Sequence, residues 1–175
     1  MPSSYIITFI GDDRPGRVEQ LSRVLEDNQG HWHESRLSQL GGKFAGLVLV
    51  SLPEANGEVL EGQLKALSAS GLSVRVTPAI EGFSFDVATR ITLTVIGPDR
   101  LGIVREIARA LAEHQVNVIE MDSEVTSAPM SGEMLFKARI DAEIPQSLAL
   151  DDLTETLDDI ANQMTLDIEL EPAVL

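Results

Sequence analysis

The chain has 175 residues, with 28 acidic side chains against 13 basic ones and a formal net charge of −15. That balance argues against direct binding to nucleic acid or to an anionic membrane surface, because both need clustered Lys and Arg. Hydrophobic residues make up 43% of a chain without cysteine, so the composition is globular, and disulfides, thiolate catalysis and cysteine-ligated metal are removed together.

Met1–Tyr5 lacks the basic and apolar regions of a secretory signal. No run approaches the roughly 18 apolar residues of a membrane-spanning helix, so a soluble cytoplasmic protein is expected. From the N-terminus, Tyr5–Ile10 reads as an apolar strand. Val18, Leu21 and Leu25 then form one helical stripe. Two strand-like runs follow, His31–Leu40 and Lys43–Leu52, joined by Gly41-Gly42 as a short hairpin turn. Leu60, Leu64 and Leu67 mark a second helix that Gly71 is placed to stop, and Leu72, Val74 and Val76 alternate as a closing strand. Thr77–Ala88, with Pro78 and Gly82, reads as a connection.

The order then starts again. Ile10-Gly11-Asp12-Asp13-Arg14-Pro15-Gly16-Arg17-Val18 matches Ile96-Gly97-Pro98-Asp99-Arg100-Leu101-Gly102-Ile103-Val104 at a constant offset of 86. Ile91, Leu93 and Val95 alternate with threonines as a half-buried strand. Val104, Ile107, Ala108 and Leu111 form a helical stripe, and strands are expected near Val116–Thr126 and Glu133–Asp141. Leu153, Leu157, Ile160, Ala161 and Met164 give the second helix, and Leu166, Ile168 and Leu170 the last strand. The fold class is therefore α+β: two tandem ferredoxin-like βαββαβ domains, residues 1–80 and 89–175, with a linker at 81–88.

The repeated turn between first strand and first helix is the candidate site. Asp13 and Asp99 can cap the helix start, while Gly16 and Gly102 permit a tight turn or close approach of backbone to a ligand. Free amides at such a helix start can receive a carboxylate. A plain strand-to-helix connection needs the same features.

With Ile-Gly-x-Asp-Arg-x-Gly-x-Val opening a βαββαβ unit twice, the chain resembles ACT domains. Two such units filling nearly the whole chain resemble the glycine cleavage system transcriptional repressor family. The resemblance implies binding of an amino acid or similar metabolite where domains pair side by side. It places the ligand around Asp99, Arg100, Leu101 and Gly102, with Asn117 hydrogen-bonding a carboxylate or ammonium group. The first copy keeps Asp12, Asp13, Arg14 and Gly16, but has Pro15 before the glycine and His31 where the second copy has Asn117. One copy is thus expected to bind ligand while the other builds a dimer.

Other groups point elsewhere. His31 and His33 are two apart, so on a strand they share a face, with Glu34 on the opposite one; without a third ligand they read as surface or interface histidines, and no metal or cofactor is expected. His114 sits near a helix C-terminus, where a cation is favoured. Asp151, Asp152, Glu155, Asp158 and Asp159 fit the solvated side of a helix, and no nucleophile elbow or phosphate loop occurs, so catalysis is not expected. Residues 1–86 carry a net charge of −4 and residues 87–175 of −11, with no Lys or Arg after Arg139. The acidic half is either a solubility feature or a face for a basic partner. The expectation is a non-enzymatic, homodimeric regulator that senses an amino acid and, as the resemblance implies, represses glycine-cleavage genes. Its charge implies that it works through a DNA-binding transcription factor. The alternative is a stand-alone allosteric subunit of an amino-acid metabolic enzyme.

Overall fold

The first apolar run extends into a long strand, β1 (Pro2–Asp12), followed by α1 (Arg17–Asp27), whose stripe buries Leu21 and Leu25. The chain returns as a hairpin, β2 (His31–Leu40) and β3 (Lys43–Pro53), turned by Gly41 and Gly42 at φ of +58° and +76°. Positive φ at both positions is what a two-residue hairpin of the correct twist requires. A short 3-10 turn leads into α2 (Gly57–Ala66). The helix tightens to 3-10 over Leu67–Ser70, ends at left-handed Gly71, and releases β4 (Leu72–Pro78). The sheet is antiparallel in the order β2-β3-β1-β4.

The second half repeats this plan. It comprises β5 (Val87–Pro98), α3 (Ile103–Glu113), β6 (Asn117–Ser127), β7 (Met134–Pro145), α4 (Leu150–Met164) and β8 (Asp167–Pro172), with sheet order β6-β7-β5-β8. The computed structural model describes residues 2–80, 82 and 87–172, and the chain divides into two units, residues 1–83 and 84–175. Most of the 81–88 segment expected to be a linker lies outside the described residues. Its last two residues, Val87 and Ala88, already belong to β5, and β4 keeps Thr77 and Pro78, so strand pairing encroaches on the connection from both sides.

In the first unit Ile7, Phe9, Val48, Val50 and Leu52 from the sheet join Leu21, Leu25, Leu60 and Leu64 in one buried cluster. Both helices therefore cover the same sheet face, and the other face is open. The second core is built the same way, with Ile91, Leu93, Val95, Phe136 and Ile140 under Ile107, Leu111, Leu153, Leu157 and Ile160. Thr92, on the open side, is nonetheless buried because its Oγ1 donates to Asp141 at 2.6 Å.

Two expectations need correction. A β-bulge between Trp32 and Glu34 breaks the alternation: His31 pairs with Ser51 and Glu34 with Leu49, two residues apart on β3. Glu34 thus shares the face of His31 rather than the opposite one, because the bulge inserts one unpaired residue. The second unit has a bulge in the same place, between Val118 and Glu120. His114 does stand at the C-terminus of α3, but its side chain leaves the helix. Its Nε2 lies 2.9 Å from Thr156 Oγ1, whose hydroxyl donates to the Asp152 carbonyl. That hydroxyl proton is committed, so Nε2 is the donor, and the pair ties α3 to α4.

Candidate functional site

Each first strand ends in a short turn that enters a helix through a glycine, Gly16 at φ +90° and Gly102 at φ +96°. Only glycine takes that backbone without strain. These glycines are the N-caps, and no side chain bonds to the helix start in either copy. The capping role expected of Asp13 and Asp99 is therefore not what these residues do. The cap position itself belongs to the glycine, and the aspartates stand three residues upstream.

Their backbones are used instead. The Asp13 amide donates to the Gly42 carbonyl at 3.0 Å, and the Asp99 amide to the Met134 carbonyl at 2.8 Å. Each turn is thereby stitched to the adjacent hairpin. The first amide committed inside each helix is that of Gln20 or Glu106, to the glycine carbonyl at 2.9 Å. The three amides before it, Arg17–Glu19 and Ile103–Arg105, are the orphan donors of a helix start, with the positive end of the dipole behind them.

In the first copy the turn encloses a hollow of about 320 Å³ lined by Asp13, Arg14, Gly16, Arg17, Val18, Glu19 and Phe44. Asp12 is exposed and ion-paired with Lys43 and, at 3.7 Å, Arg14. The Lys43 ammonium that bonds to it holds its carboxyl below the usual carboxylate value, with Arg14 and Arg17 adding smaller attractions. In the second copy Asp99, Arg100, Leu101 and Gly102 are all exposed, and Leu101 is entirely uncovered. The structure thus brings Asp12, Asp13, Arg14 and Gly16 together at one turn, and Asp99, Arg100, Leu101 and Gly102 at the other.

It does not bring His31 or Asn117 to them within a domain. Asn117 pairs with Glu143, which pairs with Arg90, eight residues along β5 from Pro98. At 3.3 Å per residue the two ends lie about 26 Å apart. His31 is likewise level with Ser4, at the far end of β1 from Asp12. There it lines a separate hollow of about 660 Å³ with Gln29, Ser51 and Glu54. His33 bonds to Ser51 Oγ at 2.7 Å. Among the described residues no three His, Asp or Glu side chains are grouped to hold a metal ion.

Sequence reasoning missed Arg17. It is buried at the first position of α1. Its Nε donates to the Asp12 carbonyl at 3.1 Å, and its Nη1 to the Ser70 carbonyl at 3.1 Å and to Gln20 Oε1 at 3.3 Å. Its Nη2 has no partner. The signal was in the repeat itself: the residue 86 positions later is Ile103, also buried, so the slot belongs to the core in both copies.

Two models of the ACT domain match the chain, at residues 3–77 and 91–158. The chain belongs to the ACT-domain family. ACT domains are regulatory modules that typically bind small-molecule effectors such as amino acids. Among solved structures, this tandem ACT protein is similar to an unknown protein from Galdieria sulphuraria. That match has 30% identity and a TM-score of 0.88, over 99% of this chain and 100% of that one. A structure named as a candidate glycine cleavage system transcriptional repressor has the same fold, with 20% identity and a TM-score of 0.73, over 100% of this chain and 99% of that one. No curated protein matches the sequence. No helix among the described residues is long and apolar enough to cross a membrane.

Proposed function

We propose that this tandem ACT protein is a non-enzymatic, homodimeric regulator that binds an amino acid at the strand-to-helix turn. The observation that carries this reading is the pair of left-handed glycine turns, each presenting three orphan helix amides beside exposed charged residues. A ligand carboxylate accepts from those amides, and Asp99 offers a counter-charge for an ammonium group. Asn117 reaches such a ligand only from a domain other than its own, because within its own domain it lies at the other end of the sheet. Calorimetric titration against a panel of amino acids tests the site. One of them binds, and Asp99→Ala or Arg100→Ala weakens it about tenfold, the loss of one charge-assisted hydrogen bond. Unchanged affinity in both variants overturns this placement.

The charge of the chain and the name of a structural neighbour support a reading of the sensor's output. We infer a repressor of the glycine cleavage system that acts through a DNA-binding protein. The net charge of −15 opposes direct phosphate contact, and ligand binding shifts the protein between states that differ in affinity for the partner. Affinity capture from cells that retrieves a transcription factor supports this. Capture of an amino-acid biosynthetic enzyme instead supports the stand-alone regulatory subunit. Tight, salt-sensitive DNA binding by the isolated chain overturns the indirect mechanism.

A further inference from the structure

The two domains share a fold but not the chemistry of their open sheet faces. In the first, Ile6 stands opposite Leu49, Thr8 opposite Leu47 and Ile10 opposite Ala45. In the second, the matching rows are Thr92 with Asp141, Thr94 with Arg139 and Ile96 with Lys137. The second domain carries mostly polar side chains on this face. The first leaves Leu47 50% and Ile10 51% exposed, with a hollow of about 230 Å³ lined by Ile6, Leu47 and Leu49. An apolar patch of this kind on an otherwise charged protein marks a contact surface.

The rim of the patch selects the occupant. On β2, Arg36 flanks Leu47 and Glu34 flanks Leu49; on β4, Arg75 flanks Thr8. We propose that this face of the first domain packs against the same face of a second copy, which deepens the homodimer named above and rests on that reading. Sheets stacked face to face keep their strand directions within about 30°. A two-fold axis lying along the strands would set Arg36 against the partner's Arg75, a repulsion. A two-fold axis across the strands, between the Leu47 and Leu49 rows, sets Leu47 on the partner's Leu49 and Thr8 on the partner's Ile6. It also sets Arg36 on the partner's Glu34, twice by symmetry. Within one chain the Arg36–Glu34 pair, at 2.9 Å, is more than half exposed. In the dimer the same charges close a four-membered ring at the rim of a dry apolar centre.

Light scattering after size exclusion, on the full chain over a wide concentration range, tests this. The wild type is expected to be a dimer. Leu47→Asp and Leu49→Asp each weaken it at least about 100-fold by burying an unpaired carboxylate at the centre, next to the axis. Both positions lie outside the domain core, and circular dichroism checks that each variant is folded. Glu34→Arg and Arg36→Glu each weaken the dimer about tenfold, and the double variant recovers to within about threefold. Arg139→Asp, at the position in the second domain that matches Leu47, leaves it unchanged. A monomeric wild type overturns the proposal and the homodimer reading together. A dimer that the folded aspartate variants leave intact overturns the proposal alone and moves the interface elsewhere.

Discussion

Gly97→Ala lowers the stability of the second domain by about 2–3 kcal/mol, and Gly11→Ala does the same to the first. The reason is close approach rather than backbone freedom. A methyl group on Gly11 would lie 2.6 Å from the Gly71 carbonyl oxygen and 3.0 Å from Leu72 Cδ1. On Gly97 it would lie 2.6 Å from Leu166 Cδ2 and 2.9 Å from the Thr165 carbonyl oxygen. Neither carbonyl can retreat, since both belong to left-handed residues that turn the second helix into the last strand. The first glycine of the repeated motif is therefore demanded by this crossing, and the second glycine by the turn. Gly16→Ala meets no atom within 4 Å and pays only for its positive φ, about 1 kcal/mol. Trp32 is the only tryptophan and packs against the first core, so its fluorescence follows that domain during chemical denaturation. Gly11→Ala moves the fluorescence midpoint, and Gly97→Ala moves a transition seen by circular dichroism. A Gly11→Ala midpoint equal to that of Gly16→Ala would sink this account.

Arg17→Ala costs the first domain about 2–3 kcal/mol. It removes three hydrogen bonds, leaves the Asp12 and Ser70 carbonyls without the guanidinium, and opens a cavity where the alkyl stem packed. The guanidinium joins the end of β1, the start of α1 and the 3-10 turn before β4, so its loss loosens three elements together. Arg17→Ile, which installs the residue type found at position 103, costs less, about 1 kcal/mol. It restores apolar packing and removes a buried charge whose Nη2 is unsatisfied. The same Trp32 midpoint reads both variants, and an isoleucine variant less stable than the alanine one contradicts the reasoning.

Arg17 also shows where sequence reading stopped. Alternation and helical stripes were enough to order every element, because each face of each strand and helix meets either core or water. β2 was legible to the residue, since Gly30 and the Gly41-Gly42 pair bracket it. β7 runs on to Pro145, beyond the expected Asp141, because Ala142 and Ile144 continue the buried alternation past two acids. The bulge at His33 was invisible, as an inserted residue changes which face a side chain takes without changing composition. The turn residues were legible as a cluster because they are consecutive. The distance from them to Asn117 was not, since the intervening helix carries the chain back about 16 Å to the opposite end of the sheet. Arg17 was passed over because a charged residue beside a loop looks solvated until its position is matched with Ile103.

The stitch between turn and hairpin makes each strand-to-helix turn a reporter of its neighbouring loop. In the first domain the acceptor, Gly42, sits in a two-residue turn with no slack. In the second it is Met134, the first residue of β7, which borders a six-residue connection from Ala128 to Glu133. Local opening is less costly where the acceptor closes the longer loop. The amide proton of Asp99 therefore exchanges with deuterium faster than that of Asp13. A ligand bound at the second turn, as proposed, would slow that exchange, so the two aspartates, one per domain, would record from within the chain which turn it takes.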